Sequence, residues 1–197
     1  LPIPVMFGGR PWGDDVTNAG SIDVDQREGA RLAVEHLVGL GRRRIATITG
    51  SLDQRAAVER LEGYRAVLED HRDTLGELDP ALVAHGDFTR AGGERAMSEL
   101  LARTPDLDAL FAASDLTAAG AIGVLRRAGR RVPEDVAVIG FDDLEEVAEW
   151  TEPRLTTVHQ PVGGFGRRLV EALLEMLAGG EPVREVLPVR LVVRASA

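Results

Sequence analysis

The chain alternates short apolar runs with stretches whose apolar residues recur every three to four positions. Residues 3–7 and 21–24 read as strands. Asp25 stands three residues before Glu28, in capping-box spacing, and predicts a helix start. Ala30, Ala33, Val34, Leu37 and Leu40 then follow at helical spacing, and Gly41 stops the helix. Residues 45–49 form a β-branched strand. A helix over 57–68 puts Leu61, Tyr64 and Leu68 on one face. Strands at 82–85, 109–113 and 136–140 alternate with helices at 89–102 and 116–128. Thr89 caps the first of these helices, and Thr104-Pro105 ends it. A short strand at 156–158, a helix at 165–177 and a strand at 186–193 broken by Pro188 complete the pattern. Such alternation predicts βαβ units around parallel sheets, an α/β protein. Gly41-Arg42-Arg43-Arg44, Gln160-Pro161 and Gly180-Glu181-Pro182 read as crossings between lobes. Arginines at a helix C-terminus also have a simpler reading in the helix dipole.

Composition narrows the chemistry. The 197 residues include no cysteine and no lysine, so all 23 basic residues are arginine. Disulfides, thiolate metal sites, cysteine nucleophiles, Schiff bases and lysine-dependent phosphate loops are thereby excluded. The net charge of −9 argues against a chain that grips nucleic acid with its whole surface. No apolar run reaches the ~20 residues of a membrane span, and no signal peptide opens the sequence. The four histidines, at 36, 71, 85 and 159, lack metal-ligand spacing. No nucleophile elbow or metallopeptidase motif is present, and Gly163-Gly164-Phe165-Gly166 does not fit a dinucleotide fingerprint.

In a parallel sheet, ligands bind beyond the carboxyl ends of the strands. Gln54, Asp87-Phe88, Ser114-Asp115 and Asp142-Asp143 follow four predicted strands. Helix capping is the alternative reading of the Ser and Asp residues. It does not account for Phe88.

Several segments resemble LacI-family transcriptional regulators. They include Glu28-Gly29-Ala30-Arg31, Arg60-Leu61-Glu62-Gly63-Tyr64, Gly86-Asp87-Phe88 and Phe111-Ala112-Ala113-Ser114-Asp115. The most specific are 132–143, Val-Pro-Glu-Asp-Val-Ala-Val-Ile-Gly-Phe-Asp-Asp, and 155–161, Leu-Thr-Thr-Val-His-Gln-Pro. Arg42 stands where the family usually has His, and Ser114 where Asn is commoner.

The resemblance implies a two-lobed, periplasmic-binding-protein-like type I fold with an effector in the cleft between lobes. It assigns 1–42 with 161–181 to an incomplete N-terminal lobe, and 43–160 with 182–197 to the C-terminal lobe. It implies no cofactor, no catalysis, a homodimer, no membrane and a cytoplasmic bacterial protein. Operator DNA is expected to be bound only through a helix-turn-helix headpiece that is not in these residues. By position it marks Arg60, Asp142, Phe88, Ser114, Asp115, Gln160 and Gln54 as effector contacts. Where the family often has an acidic residue after this strand the chain has Gly8-Gly9-Arg10, so either that wall's polar contact with the ligand is lost or Arg10 supplies it as a further effector contact. Arg60 and Asp142 would grip polar groups of a small ligand, a sugar before a purine or nucleoside, and Phe88 would stack on its ring. Alternatively, Arg60 and Asp142 pair only with each other, and Phe88 is core. Trp150 either walls the pocket or packs elsewhere. Rival functions on the same fold are a periplasmic-type sugar-binding protein and an α/β enzyme.

Overall fold

The computed structural model of the chain describes residues 3–12 and 18–197. In chain order these form β1 (Val5–Gly8), β2 (Ala19–Val24), α1 (Gln26–Gly39), β3 (Ile45–Thr49), α2 (Arg55–Asp70) and the one-turn α3 (Arg72–Leu75). Next come β4 (Val83–His85), α4 (Arg90–Arg103), β5 (Ala109–Ala112), α5 (Asp115–Arg127), β6 (Ala137–Asp142) and α6 (Glu145–Ala148). The chain ends with β7 (Thr156–His159), α7 (Val162–Leu177), β8 (Arg184–Leu187) and β9 (Arg190–Val192). The short helices α3 and α6 carry too little apolar periodicity to be read from sequence.

The chain divides into two compact units. The larger holds Gln26–His159 and Arg190–Ala197. Its six-stranded sheet has the order β4-β3-β5-β6-β7-β9. The first five strands run parallel, and β9 pairs antiparallel with β7. β3 and β5 are buried along their whole length, which is why they read as unbroken apolar runs rather than alternating ones. Ile48, Leu110 and Val138 join Met97, Leu100, Ala121 and Leu125 of α4 and α5 in one core. On α1, Ala30, Ala33, Val34 and Leu37 are fully buried. Tyr64 of α2 is also fully buried, and its hydroxyl donates to the Ile45 carbonyl at 2.8 Å. That bond satisfies the polar end of a core aromatic.

The smaller unit holds the described residues up to Asp25 and Gln160–Val189. Its sheet is parallel, in the order β1-β2-β8, and α7 packs on β1 and β2.

This division differs from the expected boundaries at 42/43 and 181/182. Helix α1 belongs to the larger unit, because its apolar face packs on α2 and on the six-stranded sheet. The arginine turn that read as a crossing is a tie inside that unit. The Arg43 and Arg44 backbone N–H groups both donate to Asp108, at 2.9 Å each, and Arg42 donates to the Pro133 carbonyl at 2.6 Å. Residues 182–189 stay with the smaller unit because β8 pairs with β2. Pro188, which lacks an N–H, separates β8 from β9 where the chain passes from one unit to the other.

Candidate functional site

The carboxyl ends of the parallel strands in the larger unit form one rim, and Arg60 reaches it from α2. Arg60 is 4% exposed. A buried guanidinium needs acceptors for its donors. Its Nε donates to the Gln26 Oε1 at 2.8 Å, and its Nη1 donates to the Ala113 carbonyl. The same Nη1 lies 3.4 Å from an Asp142 oxygen, a long contact for an ion pair. The guanidinium carbon sits 3.5 Å from the Phe141 ring centroid and 5.7 Å from that of Phe88, within reach of both π faces. Neutral acceptors and an aromatic face therefore help to hold this charge alongside the carboxylate.

Phe88 sits at φ +64°, an uncommon conformation for a bulky side chain. Two features hold it there. Asp87 accepts from the Thr89 N–H at 3.1 Å, from the Thr89 hydroxyl, and from Arg95 at 2.8 Å. These bonds draw the Asp87 pKa below the ordinary carboxylate value, the Thr89 hydroxyl contributing most. Thr89 in turn caps α4 through the Gly92 N–H at 2.9 Å. The second feature is Gly50, after β3. A Cβ there would lie 2.0 Å from the Phe88 ring, so only glycine leaves the ring its place.

Ser114 and Asp115 follow β5. Ser114 is the N-cap of α5, accepting from the Thr117 N–H at 3.2 Å and lying 2.9 Å from the Thr117 hydroxyl. Asp115 is completely buried. One carboxylate oxygen accepts from the Thr157 hydroxyl of β7, and the other from the Leu144 N–H at 2.8 Å. Burial pushes the Asp115 pKa up to about 7. The two hydrogen bonds oppose the rise, and the nearby carboxylates of Asp142 and Asp143 add to it.

Asp142 and Asp143 both have positive φ, +115° and +59°. They face different partners. Asp143 meets His159 Nδ1 at 2.8 Å and Arg194 Nη2 at 2.8 Å. Burial alone would raise the Asp143 pKa, but the Arg194 and His159 contacts outweigh it and leave the pKa lowered. Arg194 also reaches Glu149 at 2.7 Å and the Leu155 carbonyl at 3.0 Å. Asp142, with 21% of its side chain exposed, is the more accessible of the two acids.

Comparison with known proteins decides the family. A family model described as a periplasmic binding protein-like domain matches residues 34–197. The HTH-type transcriptional regulator CelR of Thermobifida fusca is 49% identical over 197 residues, covering 98% of this chain and 56% of that protein. The HTH-type transcriptional repressor PurR of Aliivibrio fischeri is 36% identical over 188 residues, covering 94% of this chain and 53% of that protein. A solved structure of a transcriptional regulator CelR–cellobiose complex aligns with a TM-score of 0.92 at 48% identity, covering 98% of this chain and 58% of that one. A sugar-binding LacI-family regulator from Escherichia coli, complexed with phosphate, aligns with a TM-score of 0.86 at 33% identity, covering 98% of this chain and 68% of that one.

The chain belongs to the LacI family. It carries that family's periplasmic-binding-protein-like effector domain, and these relatives are regulators rather than enzymes. It spans a little over half the length of these two curated relatives.

Within this LacI-family domain, the larger unit brings Arg60, Phe88, Ser114, Asp115 and Asp142 together along one rim, as the carboxyl ends of their strands require. Gln54 is exposed at the start of α2, and its side chain makes no capping bond. Gln160 and Arg10 lie in the smaller unit. The Arg10 backbone N–H and Nε both donate to one Asp23 oxygen, at 3.2 and 3.0 Å. Trp150 is 80% exposed over a groove of about 420 Å³, which Leu116, Ile122 and Val147 also line and Arg60 does not. Sequence reasoning gave no role to Gln26, Phe141 or Thr157. Phe141 directly precedes Asp142, and that adjacency was the available signal. Gln26 and Thr157 carried none, because their partners lie 34 and 42 residues away. Among the described residues no cluster of three acidic or histidine side chains could hold a metal, and no helix is long and apolar enough to cross a membrane.

Proposed function

We propose that this domain senses a sugar and that its effector controls operator binding by a regulator acting as a homodimer. Cellobiose or a closely related glucose disaccharide is the first candidate. One observation carries the reading: a buried arginine that donates to an amide and a carbonyl stands 3.4 Å from a partly exposed aspartate, beside two aromatic rings. Sugar hydroxyls both donate and accept. They can bond to Asp142 and Arg60 together, and Phe88 offers an apolar face to the ring. The 49% identity to CelR, and the 48% identity to the structure of a CelR–cellobiose complex, favour a sugar over other polar ligands. A purine would use the same donor, acceptor and stacking face and is the second reading.

Operator DNA is then gripped by a headpiece outside these residues, and the ligand acts in the cytoplasm by shifting a conformational equilibrium. It can shift that equilibrium only through unequal affinity for the two states. The test is calorimetry on the full-length protein with cellobiose, lactose, maltose, adenine and guanine. Saturable heat with cellobiose and none with the purines supports the sugar reading. Binding of a purine with no sugar response contradicts it.

A further inference from the structure

We propose that Asp115 is a positioning residue that holds the turn carrying Asp142. The proposal deepens the effector site described above and rests on that reading for its functional consequence. Asp115 has no exposed surface, so it does not itself meet a ligand from solvent. Its two oxygens tie three elements together. One accepts from Thr157 of β7. The other accepts from the Leu144 N–H, just past β6. Asp115 itself begins α5. The turn it grips is the part of the rim with the least backbone freedom to spare, since Asp142 and Asp143 both hold positive φ. Such conformations persist only where surrounding contacts over-determine them.

Two further contacts fit this role. Gly140 of β6 lies directly beneath the carboxylate, and a Cβ there would come within 2.4 Å of the Asp115 oxygen. On the far side of the turn, Asp143 is held by His159 of β7 and by Arg194. Asp142 therefore sits between two anchored points, Asp143 and Leu144 on one side and β6 on the other. Its contact with Arg60 is long, at 3.4 Å. The charged groups around Asp115 are Asp142 and Asp143, with Arg60 facing the first and His159 and Arg194 the second.

An asparagine at position 115 can reproduce both anchors: its oxygen accepts from the Leu144 N–H, and its amide donates to the Thr157 hydroxyl. An alanine reproduces neither. The test combines hydrogen–deuterium exchange of peptides covering 141–147 with sugar titration, in the full-length wild type, Asp115→Ala and Asp115→Asn. The proposal expects exchange in 141–147 to accelerate at least about tenfold in Asp115→Ala, and sugar affinity to fall by about tenfold, as for loss of a buried group that makes two hydrogen bonds. Peptides over 45–49 should not change, and Asp115→Asn should restore both readouts.

Wild-type exchange over 141–147 in a folded Asp115→Ala protein would overturn the proposal whether or not any sugar binds. Faster exchange with unchanged affinity would overturn the link to the effector site. Faster exchange in a protein whose wild type binds no sugar would support the anchoring role and refute the sugar reading instead. Should Asp115→Ala not fold, Thr157→Val removes one anchor and carries the same test. Faster exchange over 141–147 supports the proposal, and unchanged exchange there overturns it.

Discussion

Two arginine–aspartate pairs, one in each unit, are built on different terms. In the smaller unit Arg10 closes on Asp23 with two bonds to one oxygen, and the other oxygen accepts from the Val24 N–H at 2.7 Å. Arg10 keeps a third of its side chain exposed while Asp23 is nearly buried. In the larger unit Arg60 is buried and the exposure lies on its partner, Asp142, at a longer distance. Carbonyl, amide and aromatic groups hold Arg60 in place. In the first pair the arginine donates twice to the aspartate. In the second, an amide, a carbonyl and an aromatic ring also position the arginine, and the partly exposed aspartate stands at 3.4 Å, an arrangement suited to the proposed ligand.

The largest expected effect comes from removing the fixed charge. Arg60→Ala should weaken sugar binding by about 2–3 kcal/mol, roughly 30- to 150-fold, as for losing charge-assisted bonds. Calorimetry checks the affinity, and circular dichroism confirms the fold. Asp142→Ala should cost about 1–2 kcal/mol in the same assay, because the aspartate supplies acceptors but does not organise the arginine. Phe88→Ala should follow at about 1 kcal/mol, the scale of one aromatic contact beyond its buried area.

A pH experiment isolates the buried acid. Asp115 is raised to about 7 in the folded chain, against an ordinary value of 3.8. The native state therefore holds a proton that the unfolded chain releases between those values. Stability from this residue is greatest below the lower value, declines as pH rises through the upper one and is flat above it. Asp115→Asn should remove that slope in denaturant titrations between pH 4 and 8. A slope unchanged by the substitution would mean that the burial of Asp115 does not govern its proton. Arg10→Ala should have a small effect, about 1 kcal/mol in stability by denaturant titration, because the nearly buried Asp23 loses the Arg10 Nε bond but keeps those from the Arg10 and Val24 backbone N–H groups.

Much of the scaffold was legible because burial leaves a periodic trace. The apolar runs of β3 and β5 and the 3.6-residue rhythm of α1 and α2 are direct consequences of what each element covers. Thr89 was readable as a cap because a cap is a local bond. Unit boundaries were less so. The arginine turn at 42–44 looks like a crossing in sequence, yet Asp108, more than 60 residues away, makes it an internal tie. Among the candidate residues, Phe88 and Asp142 stood out by following predicted strands, and Arg60 by the family resemblance. Asp115 was visible too, but its complete burial was not, because the Thr157 hydroxyl and Leu144 amide that hold it are brought close only by the sheet order. Gln26 was missed for the same reason, its partner Arg60 lying 34 residues away, whereas Phe141 had its place beside Asp142 to mark it.

If a buried Arg60 organises sugar recognition, titrating the full-length wild type and Arg60→Ala with cellobiose separates them. The wild type should bind saturably, and a folded Arg60→Ala should lose roughly 30-fold or more in affinity. Wild-type affinity in a folded Arg60→Ala would refute the role given to this residue.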